Sequence, residues 1–262
     1  MEAARTGGEV VSTSRSGGDI LCDLSDSEQV KKLMTETRPT VVIHGAAMTD
    51  VDGCQNDPAA AMRANEQATR NIADTLADDA HLIYLSTDQV YPDITGPHVE
   101  GTEAPVNAYG RSKLAGEAPV LDRKGGIVAR TSFFGQSRTP GRASLSDFVT
   151  DNLAADKPIN LFTDILFSPL HATTLANVLM EMLRKNLAGV FNVTSRSGMS
   201  KADFGLRIAG HLGLQTDTAT LATSAVIPGR ASRASDLRMD PSKLEKALGR
   251  PMPTLAEEIA KL

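Results

Sequence analysis

Short apolar runs of strand length alternate with helical segments along this chain, and that alternation admits few folds. Thr40–His44, with Val-Val-Ile at its centre, His81–Leu85 and Ile127–Arg130 are such runs. Between them lie helical patterns over Asp26–Thr35, with Ser25 as the expected N-cap, over Pro58–Ala77 behind Asp57, and around Tyr109–Lys113. Strands alternating with helices predict an α/β fold built on a doubly wound parallel sheet. An earlier strand is expected over Glu9–Thr13, followed by a Ser14–Gly18 loop. The C-terminal part reads as a helix over Ser144–Ala155, a strand over Ile159–Phe162 and a helix over Ala172–Arg184. A strand over Val190–Thr194, a helix over Ser200–Leu212, a loop over Thr216–Ser232 and short helices near Pro241 and Thr254 complete the chain.

At 262 residues the chain suits one large α/β domain, or a domain with a small annex. A net charge of −5 advertises no basic face for nucleic acid. Cys22 and Cys54 are the only cysteines, far apart and without metal-ligand spacing, which predicts a reducing compartment and no metal centre. No apolar run reaches the ~18 residues of a membrane span. Met1–Arg5 lacks the apolar core of a signal peptide, so the expectation is a cytoplasmic protein without membrane contact.

The stretch with the most chemistry is Tyr109-Gly110-Arg111-Ser112-Lys113. Four residues of helix put Tyr109 and Lys113 on one face. An ammonium beside a phenol favours the phenolate, so Lys113 is expected to draw the Tyr109 pKa down from its reference near ~10. Such a tyrosine exchanges protons with a substrate oxygen. Thr87, at the end of the His81–Leu85 strand, is placed to hydrogen-bond the same oxygen, whereas Ser86 is expected on the opposite face.

These residues carry a family resemblance. The segments HGAAMTDVDGCQNDPAAAMRANEQATRNIA, LSTDQVYPD, PVNAYGRSKLAGE, VARTSFFG and RASDLRMDPSKL run in the order of the extended short-chain dehydrogenase/reductases. The chain most closely resembles their dTDP-4-dehydrorhamnose reductase group. The resemblance implies a Rossmann-like domain over residues 1–140 and a mixed region over 141–262 contributing a smaller substrate-binding lobe. It also implies NAD(P)H-dependent reduction of a nucleotide-diphosphate 4-keto-6-deoxy sugar, as in dTDP-rhamnose biosynthesis, and admits a homodimer. Tyr109 would then be the proton donor, Lys113 would hold the cofactor ribose and Thr87 would orient the carbonyl.

Further roles come with the same resemblance. Asp23 and Leu24 match the adenine contact, Ala46 and Ala47 the adenosine and pyrophosphate side, and Asn65 the asparagine that organises the active-site end near the cofactor. Thr131 and Ser132 fall near the nicotinamide or substrate, and Arg233 suits a substrate diphosphate. Arg15, where an acidic residue would select NAD, suits a 2′-phosphate and tilts the expectation towards NADP. Asp88, Asp93, Glu100 and Glu103 read as a solvated acidic loop.

The family's opening strand and glycine-rich turn have no counterpart here. Met1–Gly8 reads as the end of the following helix and Glu9–Thr13 as the family's second strand. Two expectations stay open: a sequence short of a segment of ~20 residues, or a shortened protein that acts as a cofactor-defective scaffold or regulatory subunit. Within the enzyme class, an epimerase or dehydratase is the alternative, and Gln89 in place of a glutamate after Asp88 speaks against a dehydratase. Gln89, Phe133-Phe134, Leu170-His171, Thr174 and Ala234 depart from the reductase pattern, mostly where the sugar would sit.

Overall fold

Strand β4 (His81–Thr87) is the axis of the main sheet, paired in parallel on one side with β3 (Val41–His44) and on the other with β5 (Ile127–Thr131). β10 (Gly189–Asn192) extends the sheet beyond β5, giving four parallel strands in the order β10-β5-β4-β3. The computed structural model describes residues 8–137, 141, 143–224 and 230–262. The helix end expected before Gly8 lies outside them, as do residues 225–229 of the expected Thr216–Ser232 loop.

Helices cover both faces, as the apolar strands require. On one face α1 (Ser27–Thr37), α4 (Ala68–Thr75) and α5 (Ala108–Leu121) pack Val30, Leu33, Ile72 and Val120 against Leu82, Tyr84 and Val128. On the other, α7 (Ala172–Arg184) and α9 (Ser242–Leu248) pack Leu175, Val178, Met182 and Leu244 against Ile83, Ile127, Ala129 and Phe191. A third cluster, centred on Phe134, Leu161, Phe167, Phe204 and Ile208, forms the core of the C-terminal lobe. Its elements are β6 (Phe133–Phe134), α6 (Leu145–Ala154), β7 (Ile159–Phe162), β8 (Leu166–Phe167), β9 (Leu170–His171), β11 (Met199–Ser200), α8 (Lys201–Leu212), β12 (Ala219–Ala222), β13 (Asp236–Leu237) and α10 (Leu255–Ile259). β12 pairs with β7, so part of the expected Thr216–Ser232 loop is strand.

Three expectations about local structure change. The Glu9–Thr13 strand shrinks to β1 (Thr13–Ser14), which pairs only with β2 (Ile20–Leu21). Among the described residues no strand pairs with the outer edge of β3, leaving Val41 37% and Ile43 42% exposed. A β run needs a neighbour to satisfy its backbone, and among the described residues Ser12 bonds only to the turn at Asp19 and Ile20 rather than to the main sheet. The N-cap of α1 is Asp26, not Ser25: Asp26 accepts from the Glu28 and Gln29 amides, while the Ser25 hydroxyl donates to Asp23. The long Pro58–Ala77 helix is three pieces: α3 (Pro58–Met62), capped by Asp57, a π-turn over Arg63–Gln67, and α4. A short helix, α2 (Val51–Asn56), precedes them.

Candidate active site

The site forms where β4 ends and α5 begins. Asn107 caps α5, accepting from the Gly110 amide at 2.8 Å and donating to the Ser232 carbonyl at 2.9 Å and to Gln89 at 3.1 Å. Gln55 of α2 accepts from the Ala108 amide at 3.1 Å, so the unexpected α2 anchors the same helix end. Gly110 lets this turn lie directly on the backbone carbonyl of Gln89, where any Cβ would collide.

Tyr109 and Thr87 approach each other here, Thr87 being close enough to act on the phenol. Thr87 also donates to the Asp88 carboxyl at 3.0 Å. Lys113, one turn beyond Tyr109 and 2% exposed, donates to the Leu85 carbonyl at 2.7 Å, its ammonium 4.0 Å from the centre of the Tyr84 ring. Burial pulls the Lys113 pKa down to about 7, opposed by the Glu117 charge. The expected lowering of the Tyr109 pKa is reversed. Crowding by protein around the phenol pushes it up, Thr87 opposes that rise, and Lys113 faces Leu85 and Tyr84 instead.

Asn65 is fully buried, and its amide is spent on protein. It accepts from the Met48 amide at 2.8 Å and donates to the Met48 carbonyl at 3.1 Å and to Ser112 at 2.8 Å. It therefore ties the Ala46-Ala47-Met48 loop to α5 rather than offering a contact of its own to a ligand. The π-turn is what swings it inward. Ala46 is exposed and Ala47 partly so, just past the end of β3. Asp23 turns back onto the Ser25 hydroxyl at 2.7 Å, and that bond first, with the Ser25 amide, lowers its pKa. The Arg15 charge acts on Asp23 as well, so these two candidates lie near each other. Thr131 is buried beside Ser132 at the end of β5.

Arg233 is committed to protein. It donates to Asp52 at 3.0 Å and to the Ala231 carbonyl at 3.0 Å, and Asp52 also takes Arg230 at 3.1 Å and the Ala231 amide at 2.9 Å. The acidic run is solvated only in part: Asp93 is exposed, Glu100 and Glu103 are half-buried, and Asp88 is not in solvent. Asp88 is buried, and burial raises its pKa against the hydroxyls of Thr87 and Ser132 and the charge of Lys201. Glu103 pairs with Arg130, Glu100 accepts from the Asn192 amide, and Asp93 accepts from Ser235. The position of Asp88 directly after Thr87 was the available signal, because a strand end facing a helix N-terminus buries the next residue of the chain.

The donor set suits two ends of a nicotinamide dinucleotide. Lys113 has three N–H donors and spends one on Leu85, leaving two for ribose hydroxyls beside Tyr109. Ala46 and Ala47, exposed and half-exposed past the end of β3, are the residues that would meet the other end. No glycine-rich pyrophosphate cradle occurs in the sequence. Among the described residues no group of histidines, cysteines or carboxylates is placed to hold a metal ion, and no helix is long and apolar enough to cross a membrane.

Comparison with known proteins agrees with this architecture. The chain is 35% identical over 247 residues to a probable low-salt glycan biosynthesis reductase, Agl14, of Haloferax volcanii, covering 92% of this chain and 82% of that protein. It is 28% identical over 232 residues to methionine adenosyltransferase 2 subunit beta of Rattus norvegicus, covering 85% and 69%. It shares its fold with the crystal structure of dTDP-4-dehydrorhamnose reductase from Bacillus anthracis in complex with NADP, at a TM-score of 0.82 and 23% identity over 91% of this chain and 84% of that one. The family model described as the RmlD substrate binding domain matches residues 1–262, and the chain belongs to that family.

Proposed function

We propose that this chain reduces the 4-keto group of a nucleotide-diphosphate 4-keto-6-deoxy sugar with NADPH or NADH, NADPH being favoured by Arg15, in the cytoplasm. The observation that carries this reading is the approach of Tyr109 to Thr87, with the buried Lys113 one turn along the same helix. The bound nicotinamide supplies the hydride. The chain itself supplies the proton and the alignment. Tyr109, held protonated at neutral pH by its surroundings, delivers its phenolic proton to the carbonyl oxygen. Thr87 hydrogen-bonds the same oxygen when its single hydroxyl proton turns from Asp88 to the substrate. Lys113 holds the ribose hydroxyls and, as an ammonium, stabilises the phenolate left on Tyr109. Ser132 contacts the substrate in this reading and Thr131 the cofactor, while Arg233 reaches the substrate only by giving up Asp52.

A second reading is favoured by the likeness to a protein named as a subunit: a regulatory partner that does not turn over. Titration of NADPH and NADH with the chain, followed by the cofactor's own emission, separates the two, since the chain has no tryptophan to interfere. Saturable binding and keto-sugar turnover abolished by Tyr109→Phe support the reductase. Absence of both favours the regulatory partner.

A further inference from the structure

Three buried polar residues with no direct part in the proton transfer sit beside three that have one. Ser86 precedes Thr87 on β4, Glu117 lies one turn beyond Lys113 on α5, and Arg130 precedes Thr131 on β5, with exposures of 5%, 2% and 2%. They form one cluster. Glu117 Oε1 accepts from the Ser86 hydroxyl at 2.6 Å and from Arg130 Nε at 3.0 Å, and Glu117 Oε2 accepts from Arg130 Nη2 at 2.6 Å. This is the two-pronged guanidinium–carboxylate geometry that fixes direction as well as distance. Arg130 Nη1 reaches the Tyr91 hydroxyl at 3.1 Å and the Glu103 carboxylate, and the Tyr91 hydroxyl donates to Asn192 at 2.7 Å.

The charges in this region balance. Arg130 and Lys113 are the cations, Glu117 and Glu103 the anions. Around the Lys113 ammonium, β4 presents the Tyr84 ring and the Leu85 carbonyl, and β3 presents His44, which burial and the Lys113 charge keep neutral. From α5 come Tyr109 and Glu117, so the one anion facing Lys113 is Glu117. Burial works against the ammonium and Glu117 works for it. The Ser86–Glu117 bond ties α5 to β4 one residue before Thr87, so it sets how far α5 slides along β4 where Tyr109 and Thr87 approach.

We propose that Glu117, held by Arg130 and Ser86, is a positioning residue of this site: it supplies the counter-charge that keeps Lys113 an ammonium and sets the register of α5 against β4 where Tyr109 approaches Thr87. Its bearing on catalysis rests on the reductase reading, but the charge relationship does not.

The test is a pH titration of the full chain with ¹³C-labelled lysine side chains, following the Cε resonances by NMR and assigning Lys113 by its loss in Lys113→Arg. Glu117→Gln keeps the size and the hydrogen-bonding oxygen but removes the charge. The expected result is a Lys113 midpoint lower by about one pH unit or more, a tenfold loss of proton affinity, with Glu117→Asp restoring it. A Lys113 midpoint unchanged in Glu117→Gln overturns the proposal. Should that variant fail to fold, the Glu117 carboxyl carbon is followed in the unaltered chain. It is expected to step as Lys113 loses its proton, and a flat trace there overturns the proposal equally. Neither readout uses cofactor or substrate, so a chain without turnover leaves the result standing, and an active enzyme with an unmoved Lys113 sinks this inference alone.

Discussion

The Asp52 carboxylate accepts from the Arg233 guanidinium at 3.0 Å, joining α2 to the segment that runs across the N-terminus of α5. Asp52 also takes Arg230 and the Ala231 amide, and these partners hold its pKa well below the usual carboxylate range, the Arg233 bond first. Solvent screening leaves exposed ion pairs with little effect on overall stability, so Asp52→Ala should leave the global melt nearly unchanged. Local opening is a different quantity. Amide hydrogen exchange over residues 230–234 is expected to accelerate by ~10-fold or more in the variant. Unchanged protection there would show that Asp52 does not hold the segment.

Tyr109→Phe removes the phenolic proton while keeping the ring. Turnover of a nucleotide-linked 4-keto sugar is expected to fall by ~10²–10⁴-fold, with the circular dichroism and melt preserved. A variant that keeps full turnover would remove Tyr109 from the proton-transfer role.

Gly116 lies where a Cβ would stand 2.6 Å from both the Asn65 carbonyl and the Tyr84 hydroxyl. Gly116→Ala must therefore push α5 off the π-turn and off β4, an overpacking cost of ~1–3 kcal/mol. Urea denaturation should show the loss as a lowered midpoint at constant slope. A midpoint equal to that of the unaltered chain would mean the helix seats less closely than the structure has it.

His44 is buried, 3.1 Å from the Thr69 hydroxyl, and burial first, then the Lys113 charge, lowers its pKa to about 3. Between that value and the ordinary ~6.5 the unfolded chain binds the proton and the folded chain does not. Stability from this group is therefore full above about pH 6.5 and is lost as pH falls towards 3, by up to ~1.4 kcal/mol per pH unit. Melting temperatures followed from pH 7 to 4 should fall less steeply in His44→Asn. Parallel slopes for the two chains would contradict this assignment.

Val41 and Ile43 present an apolar face on an uncovered strand edge. Such edges pair with other strands, and a lysine on them blocks pairing. Ile43→Lys is expected to change stability by no more than ~0.5 kcal/mol, as for other surface positions. Light scattering on heating should show less association in the variant; equal scattering would argue that the edge is protected in solution.

Much of this was legible in the residues. Val-Val-Ile before His44, the run ending in Thr87 and Ile127–Arg130 are apolar enough to be strands of a parallel sheet, and each is one. The first, however, lies at the edge of the sheet, with Val41 and Ile43 exposed rather than buried. The spacing from Tyr109 to Lys113 required a shared helical face, and Asp57 before Pro58 marked a helix start that the structure keeps. These are local matters, decided by period, capping and backbone sterics within a few residues of chain. Tertiary structure alone decided the rest. It buried Asp88 and paired Glu103 with Arg130 instead of leaving them in solvent, and it turned Lys113 towards Leu85 rather than the Tyr109 phenol. It spent Asn65 on Met48 and Ser112, and gave Arg233 to Asp52. The sign of a pKa shift and the partner of a charge depend on which groups from distant segments crowd round it. Spacing along the chain determines which side chains share a face. Desolvation and charge pairing arise only when the faces meet.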